Sequence, residues 1–409
     1  MPNLKELHLS QLTVDDADAL MQFGPFTAVT QLRLEGLIVS PQDPGQASKS
    51  ALTNPEAQVV DKTAAVLELL KPMTQMQRLH LVVGKLDREP WMAAAVPTTV
   101  TALHLALNVG WNVSPCVPTG LLQLVDLQEL HLKLGGGIDT NIIAGMSRLQ
   151  MLTLKVCMHP PSSAGVAGPD ALLAAVERLP QIRHLSLREG EPACSLAAAQ
   201  PSSWAALTAC SRLTHLEVMG KYTLPLPTAA LQHLSPPIST FPQLRRLFLG
   251  CKHPGIPIGQ LLYITEADTI SACFISACPN LNSLDIKGAL QPGDNCSPLL
   301  KLPETCRELC VGGEAFGDAA AETVKQLTQL TALRWTGSDI LTDAGLHQLT
   351  TLTGLQELYL RADHLMSEGL VTKDSFDAMI DDVLLKAADQ VGCGVCIVFA
   401  LDMSWCCSF

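Results

Sequence analysis

The stretch LTDAGLHQLTTLTGLQELYL, Leu341 to Leu360, decides how the rest of the chain reads. It ends on Leu355-x-x-Leu358-x-Leu360. Leu358 and Leu360 alternate with Glu357, Tyr359 and Arg361. A strand here turns its leucines to one face and the polar residues to the other. Just upstream, Leu346 and Leu349 lie on one side of a helix predicted over Asp343 to Thr351. One such strand and helix cannot bury their own leucines, whereas stacked copies can.

Copies are present along most of the sequence. The same phrase stands at Leu4-x-x-Leu7-x-Leu9, Val29-x-x-Leu32-x-Leu34, Met76-x-x-Leu79-x-Leu81, Val100-x-x-Leu103-x-Leu105, Leu127-x-x-Leu130-x-Leu132 and Leu149-x-x-Leu152-x-Leu154. It continues at Ile182-x-x-Leu185-x-Leu187, Leu213-x-x-Leu216-x-Val218, Leu244-x-x-Leu247-x-Leu249, Leu281-x-x-Leu284-x-Ile286, Cys306-x-x-Leu309-x-Val311 and Leu330-x-x-Leu333-x-Trp335. Steps from Leu7 to Leu358 average roughly 29 residues, a period of stacked repeats.

Leu4 to Leu360 resembles the leucine-rich repeat family, and the Leu-Thr-Asp-Ala-Gly-Leu lead-in at Leu341 looks like its helix-containing form. The repeats are similar to ribonuclease-inhibitor-like ones or to the cysteine-containing ones of F-box proteins. The resemblance implies an α/β horseshoe solenoid, with a parallel sheet on the concave face and helices and loops on the convex face. In many family members an asparagine or cysteine bonds backbone groups at the strand exit. Asn108 and Cys157 stand at that place here, but most repeats lack it, so uneven repeats are expected.

Composition agrees with a folded array. Hydrophobic residues make up 47% and charged ones 16% of 409 residues, which excludes a disordered chain. Aromatics are only 4%, so the core must be mainly leucine, alanine and valine. The net charge of −12 argues against a nucleic-acid partner. Met1-Pro2-Asn3-Leu4-Lys5-Glu6 has no apolar signal segment, and no apolar run reaches the ~20 residues of a membrane span. The 14 scattered cysteines read as reduced thiols in a cytoplasmic protein.

About 13 irregular repeats are expected over residues 1–365. A proline-, serine- and glutamine-rich stretch near 40–54 interrupts them as an inserted loop, and Pro55 to Leu70 resumes helical spacing. Longer insertions follow the later strands: His159 to Gly168, Gly190 to Ser203, Lys221 to Thr240 and His253 to Gln260. They carry Pro, Gly or Ser and should line one rim of the sheet. Helices are predicted at Asp170 to Glu177 and Glu266 to Ala277. Residues 366–409 read as a closing unit, with a helix from Asp374 or Ser375 to about Asp389, a final strand at Val395 to Leu401 and a frayed tail from about 404. The first repeat begins so near Met1 that no cap precedes it; a partner covers that end, or the protein is longer.

Sites of chemistry are scarce. Cys393-x-x-Cys396 with Cys406 and Cys407 offers four thiols, but the adjacent pair suits a tetrahedral metal badly. Neither Cys393 nor Cys396 opens a helix as a redox thiol would, and acylation of Cys406 or Cys407 has still less behind it. Gly135-Gly136-Gly137 lacks the lysine of a phosphate loop. No nucleophile elbow is present. No catalytic, cofactor or metal residue is assigned, and the chain is expected to be a non-enzymatic protein.

The exposed strand face is the informative surface. Its middle column reads His8, Arg33, His80, His104, His131, Thr153, Ser186, Glu217, Phe248, Asp285, Cys310, Arg334, Tyr359. Flanking positions add Arg78, Lys133, Lys155, His184, Arg188, His215 and Arg246. Between repeats three and nine its acids are Glu129 and Glu217. A histidine on an exposed strand is ordinarily just a tolerated polar residue, and a metal at His80, His104 and His131 would want a carboxylate or thiol. The collective asymmetry is the signal: an acidic chain presents basic residues on its inner face. Arg78, His80, His104, His131, Lys133, Lys155, His184, Arg188, His215 and Arg246 are therefore the candidate partner-binding residues. The expected function is a scaffold that holds an acidic protein partner on this face and the Pro-rich rim. Binding should strengthen from pH 7.5 to 6 if the histidines titrate near ~6.5. Segments such as Cys210-x-x-Leu213-x-x-Leu216 and Cys278-Pro279-Asn280-Leu281 raise a second reading, substrate-recognition repeats of an F-box ubiquitin ligase without its F-box. A third is a cytoskeletal or axonemal docking protein.

Overall fold

The computed structural model describes residues 4–10, 26–37, 70, 72–83, 96–107, 119–134, 140–156, 168–189, 196–220, 241–251, 278–287, 296–312, 317–336, 342–361 and 396–399. The chain divides into two compact units, Met1–Ser195 and Leu196–Phe409. The first holds strands β1 (Glu6–Ser10), β2 (Gln31–Leu37), β3 (Arg78–Val83), β4 (Ala102–Leu107), β5 (Glu129–Leu134), β6 (Met151–Val156) and β7 (His184–Glu189), with helices α1 (Thr140–Ala144) and α2 (Pro169–Glu177). The second holds β8 (His215–Gly220), β9 (Arg246–Cys251), β10 (Ser283–Lys287), β11 (Glu308–Gly312), β12 (Ala332–Thr336), β13 (Glu357–Arg361) and β14 (Cys396–Phe399), with α3 (Asp318–Val324) and α4 (Asp343–Leu349). Within each unit every strand pairs in parallel with the next one in the chain. β14 pairs Cys396 with Glu357 and Ile397 with Leu358 on β13, so the final strand expected near Val395 extends the sheet of the second unit.

Each expected phrase forms a strand at the expected register. Leu216, Leu247 and Leu284 are 2%, 3% and 1% exposed. Burying each such side chain contributes about 1.5–3 kcal/mol. β1 differs: Leu4, Leu7 and Leu9 are only half-buried, as expected for the first repeat. Leu12 lies outside the described residues.

The structural phrase begins three residues earlier than the leucine pattern. In each turn the first apolar residue of the phrase donates its N–H to the carbonyl three positions back: Met76 to Met73 (3.0 Å), Leu127 to Leu124 (3.1 Å), Leu213 to Cys210 (3.0 Å), Leu281 to Cys278 (3.1 Å). That earlier residue is itself buried at Phe26, Met73, Leu124, Met146, Leu179, Cys210, Phe241, Cys278, Leu327 and Leu352. The cysteines of the F-box-like segments thus occupy an apolar turn position that phenylalanine, methionine or leucine fills elsewhere. Cys210, Cys278, Cys296, Cys306 and Cys310 are buried and belong to no disulfide. Burial pushes Cys278 and Cys306 up to about 12, so both are inert hydrophobes.

A second device repeats at the strand entrance. One carbonyl accepts two successive N–H groups of the next repeat: Lys5 O from Thr30 (2.8 Å) and Gln31 (3.0 Å), Gln128 O from Gln150 (2.8 Å) and Met151 (2.9 Å), Arg307 O from Thr331 (2.8 Å) and Ala332 (3.0 Å). The pair leaves the sheet no freedom to slip by a residue, which would turn every leucine outward.

The helices close the leucine side. α1 buries Ile142 and Ile143, α2 buries Leu172, Leu173 and Val176, and α4 buries Leu346 and Leu349. α2 and α4 lie where helices are expected. The stretch Gly190 to Ser203, expected to be an irregular insertion, turns into 3-10 helix at Leu196–Ala198 and Pro201–Ala209. Fully buried Trp204 and Leu207 pull the second of these onto the core, and Pro201 starts it. The 40–54 loop, most of the Pro55 to Leu70 helix, the Glu266 to Ala277 and 374–389 helices, Asn108, Cys157, Gly135 to Gly137, Cys393, Cys406, Cys407 and most of the rim insertions lie outside the described residues.

Asp318 joins α3 to α4. Its Oδ1 accepts from the Thr342 N–H (2.8 Å) and its Oδ2 from the Thr342 hydroxyl (2.6 Å). Thr342 Oγ1 in turn caps α4 by accepting from Ala344 N–H (3.2 Å). Asp318→Ala should therefore cost about 1–2 kcal/mol in chemical denaturation of the second unit, while Glu322→Ala on the same helix costs less than half of that.

Candidate functional site

On the open face of each sheet the side chains stand in three columns, because parallel strands in register place equivalent residues ~4.8 Å apart. The middle column of the first unit runs His8, Arg33, His80, His104, His131, Thr153, Ser186. The column nearer the strand ends places Lys133, Lys155 and Arg188 on the adjacent strands β5, β6 and β7. Lys133 is exposed, and Lys155 and Arg188 are half-buried. Arg188 Nε donates to Ser186 Oγ (3.2 Å). Other candidates do not gather with these. Exposed Arg78 and half-buried His184 share the first column but are separated by Ala102, Glu129 and Met151. His215 and Arg246 pair with each other on β8 and β9 of the second unit, and His215 Nδ1 lies 2.8 Å from the Thr214 hydroxyl.

The three middle histidines form a stack. The rings of His80 and His104 lie 4.0 Å apart and 22° from parallel; those of His104 and His131 lie 5.5 Å apart and 20° from parallel. Lone pairs lie in the ring planes, so near-parallel rings do not aim their nitrogens at one point. No group of three His, Cys, Asp or Glu among the described residues is arranged to hold a metal ion.

Stacking changes the charge of these rings. Burial first, then the neighbouring His80 and His131, lowers His104 to about 4. Burial lowers His80 as well, with Arg33 adding to it and Glu35 opposing. Burial also lowers His131, with Glu129 opposing and Arg188 reinforcing. His80, His104 and His131 are therefore neutral near pH 7. The expected gain of positive charge between pH 7.5 and 6 cannot come from His104 and is reduced at His80 and His131.

Glu35 was not among the expected site residues, and Arg33 and His8 appeared only in the middle column. Glu35 Oε1 accepts from Arg33 Nε (2.8 Å) and Nη2. Its oxygens also lie 3.6 Å from His8 Nε2 and 3.7 Å from His80 Nε2. Hydrogen bonding from Arg33 holds the Glu35 carboxyl below its ordinary value, with burial opposing and the charges of Arg33 and His8 assisting. The pairing of β2 with β3 shifts here: Leu34 faces Leu81 but Leu37 faces Val83, so Glu35 and Gly36 together oppose Val82. Such a bulge re-aims side chains. The sequence signal, a Glu two residues after an Arg on one strand, acquires meaning only once β1 and β3 flank it.

No family model and no curated protein matches this sequence. Among solved structures, the chain is similar to an internalin from Listeria monocytogenes, 15% identical over 93% of this chain and 84% of that chain, with a TM-score of 0.50. It is also similar to a leucine-rich repeat protein from Leptospira interrogans, 14% identical over 94% of this chain and 89% of that one, with a TM-score of 0.40. With parallel strands, two inward apolar residues per strand and helices on the leucine side, the fold is an α/β leucine-rich repeat solenoid. No helix among the described residues is long and apolar enough to cross a membrane.

The stack has a pH signature. A histidine whose folded pKa is depressed leaves the unfolded chain to take up the proton first, so stability falls as pH drops below ~6.5 and levels off below the folded value. For His104 that window closes at about 4. Wild type should lose about 1 kcal/mol more than His104→Gln between pH 7 and 5, a full shift halved because the ring is only half-buried. Denaturant titrations at both pH values measure it; equal losses in the two proteins would mean the ring titrates normally.

Proposed function

We propose that this protein is a non-catalytic scaffold that holds a partner protein with an acidic surface on the open strand face of its first unit. The carrying observation is the register of Lys133, Lys155 and Arg188 on three adjacent strands in a chain of net charge −12. Like charges ~5 Å apart raise one another's potential and attract an anionic surface, accelerating encounter. Among the described residues the open face of β3 to β7 in the first unit carries Glu129 as its acid. The Pro-rich rim insertions would widen the contact. A parallel sheet with exposed polar columns is a surface for recognition. Such a scaffold would work in the cytoplasm, where its buried thiols stay reduced.

The ubiquitin-ligase and cytoskeletal readings draw on likeness alone. Cys210 and Cys278 fill an apolar turn position, so no specific observation favours either over the general scaffold.

The combined variant Lys133→Glu, Lys155→Glu, Arg188→Glu should abolish binding of a labelled oligo-glutamate peptide while leaving the circular dichroism of the protein unchanged. Wild-type binding should weaken as salt is raised, since the Debye length shortens from ~10 Å at 0.1 M to ~3 Å at 1 M. Undiminished binding of the variant at low salt would move the partner site off this face.

A further inference from the structure

We propose that His8, Arg33 and His80 form a carboxylate-binding site on β1 to β3, which Glu35 occupies in the isolated chain and yields to an acidic side chain of the partner. This rests on the reading that an acidic partner docks on the same face. The three receiving residues come from three adjacent strands in one column. The carboxylate they hold comes from the middle strand itself, two residues beyond Arg33. The receiving groups are thus a product of strand register, and the occupant is a local plug.

The plug is aimed by a bulge. Glu35 pairs with Ser10 on the β1 side, while on the β3 side Glu35 and Gly36 together stand opposite the single residue Val82. Bulges of this kind are concentrated where a side chain has to be redirected.

The plug also fits imperfectly. His80 Nε2 is enclosed and has no hydrogen-bond partner; its 3.7 Å approach to Glu35 is too long for a hydrogen bond. A carboxylate anchored outside β2 is not bound by the reach of a same-strand side chain and can come closer. Exchange is also easy. The side chains of His8, Arg33 and Glu35 are 55%, 52% and 34% exposed, and exposed ion pairs contribute little to stability. The same clasp shows which chemistry this face prefers: a carboxylate, met by guanidinium and imidazole together. Release of Glu35 would leave Arg33 unneutralised at one end of a face whose other end carries Lys133, Lys155 and Arg188.

Anisotropy titrations of a labelled oligo-glutamate peptide at low salt test this. Glu35→Gln should bind about two- to fivefold tighter than wild type, the range set by an exposed charge pair. Arg33→Gln added to it should remove the gain. Glu6→Gln, an equal change of charge on neighbouring β1, should give a smaller gain. Glu35→Ala repeats the test should the glutamine disturb folding. The inference is overturned if Glu35→Gln binds no tighter than wild type, if its gain survives Arg33→Gln, or if Glu6→Gln matches it. A failed Glu35→Gln alongside a triple Lys133, Lys155, Arg188 reversal that still abolishes binding rejects the Glu35 site and leaves the cationic column standing. Peptide bound by neither wild type nor Glu35→Gln rejects both.

Discussion

Two apolar side chains per strand, pointing the same way, are the constraint on which the remaining structure depends. No single repeat can keep them from water, so each strand must find a neighbour on both sides. The period of two then does more than build a core. It obliges the intervening residues to face outward together, and the shared carbonyl at each strand entrance holds successive strands in one register. Residues far apart in the chain, such as Lys133, Lys155 and Arg188, become a row. The ordered open face is a by-product of the same packing that makes the protein stable, and a slip in one would scramble the other.

Membership of a row does not fix what a residue does there. Lys133 stands in solvent, whereas His104 lies between two other rings and cannot keep a proton near neutrality. The open face of the first unit therefore has three electrostatic zones. Around β1 to β3 a carboxylate is clasped by basic groups. Across β3 to β5 a neutral stack of imidazoles fills the middle column. At the ends of β5 to β7 stand the cations. The second unit differs: its middle column carries Phe248, Asp285, Cys310 and Tyr359, and Arg334 lies 4.0 Å from Glu357.

The strands were legible because Leu-x-x-Leu-x-Leu states both a period and a face, and every copy of it became a strand. Its buried antecedent three residues earlier was harder to see, since Phe26, Met73, Cys210 and Leu352 share only an apolar character. Pro201 to Ser203 read as the end of an insertion because proline and serine there mask the pull of Trp204 and Leu207 toward the core. At the candidate site the columns could be written down in advance, but their protonation could not: it follows from ring-to-ring distances of a few ångströms. Glu35 escaped notice for a related reason. Its partners His8 and His80 lie on other strands, and its aim depends on a bulge that leaves no mark in the sequence beyond Gly36.

The strand entrance carries one further implication. Its double acceptance of N–H groups, the turn three residues before it and the two inward leucines are all contained in a run of about ten residues, such as Met73 to Val83. Whatever its length, the segment between one such run and the next must bring the chain back to the carbonyl of the preceding repeat. The step from Leu130 to Leu152 and the far longer one from Leu32 to Leu79 satisfy this requirement equally. Repeat length is thereby uncoupled from pitch, and this architecture can acquire or shed whole surface segments, and with them new specificities, while the ladder beneath keeps its spacing.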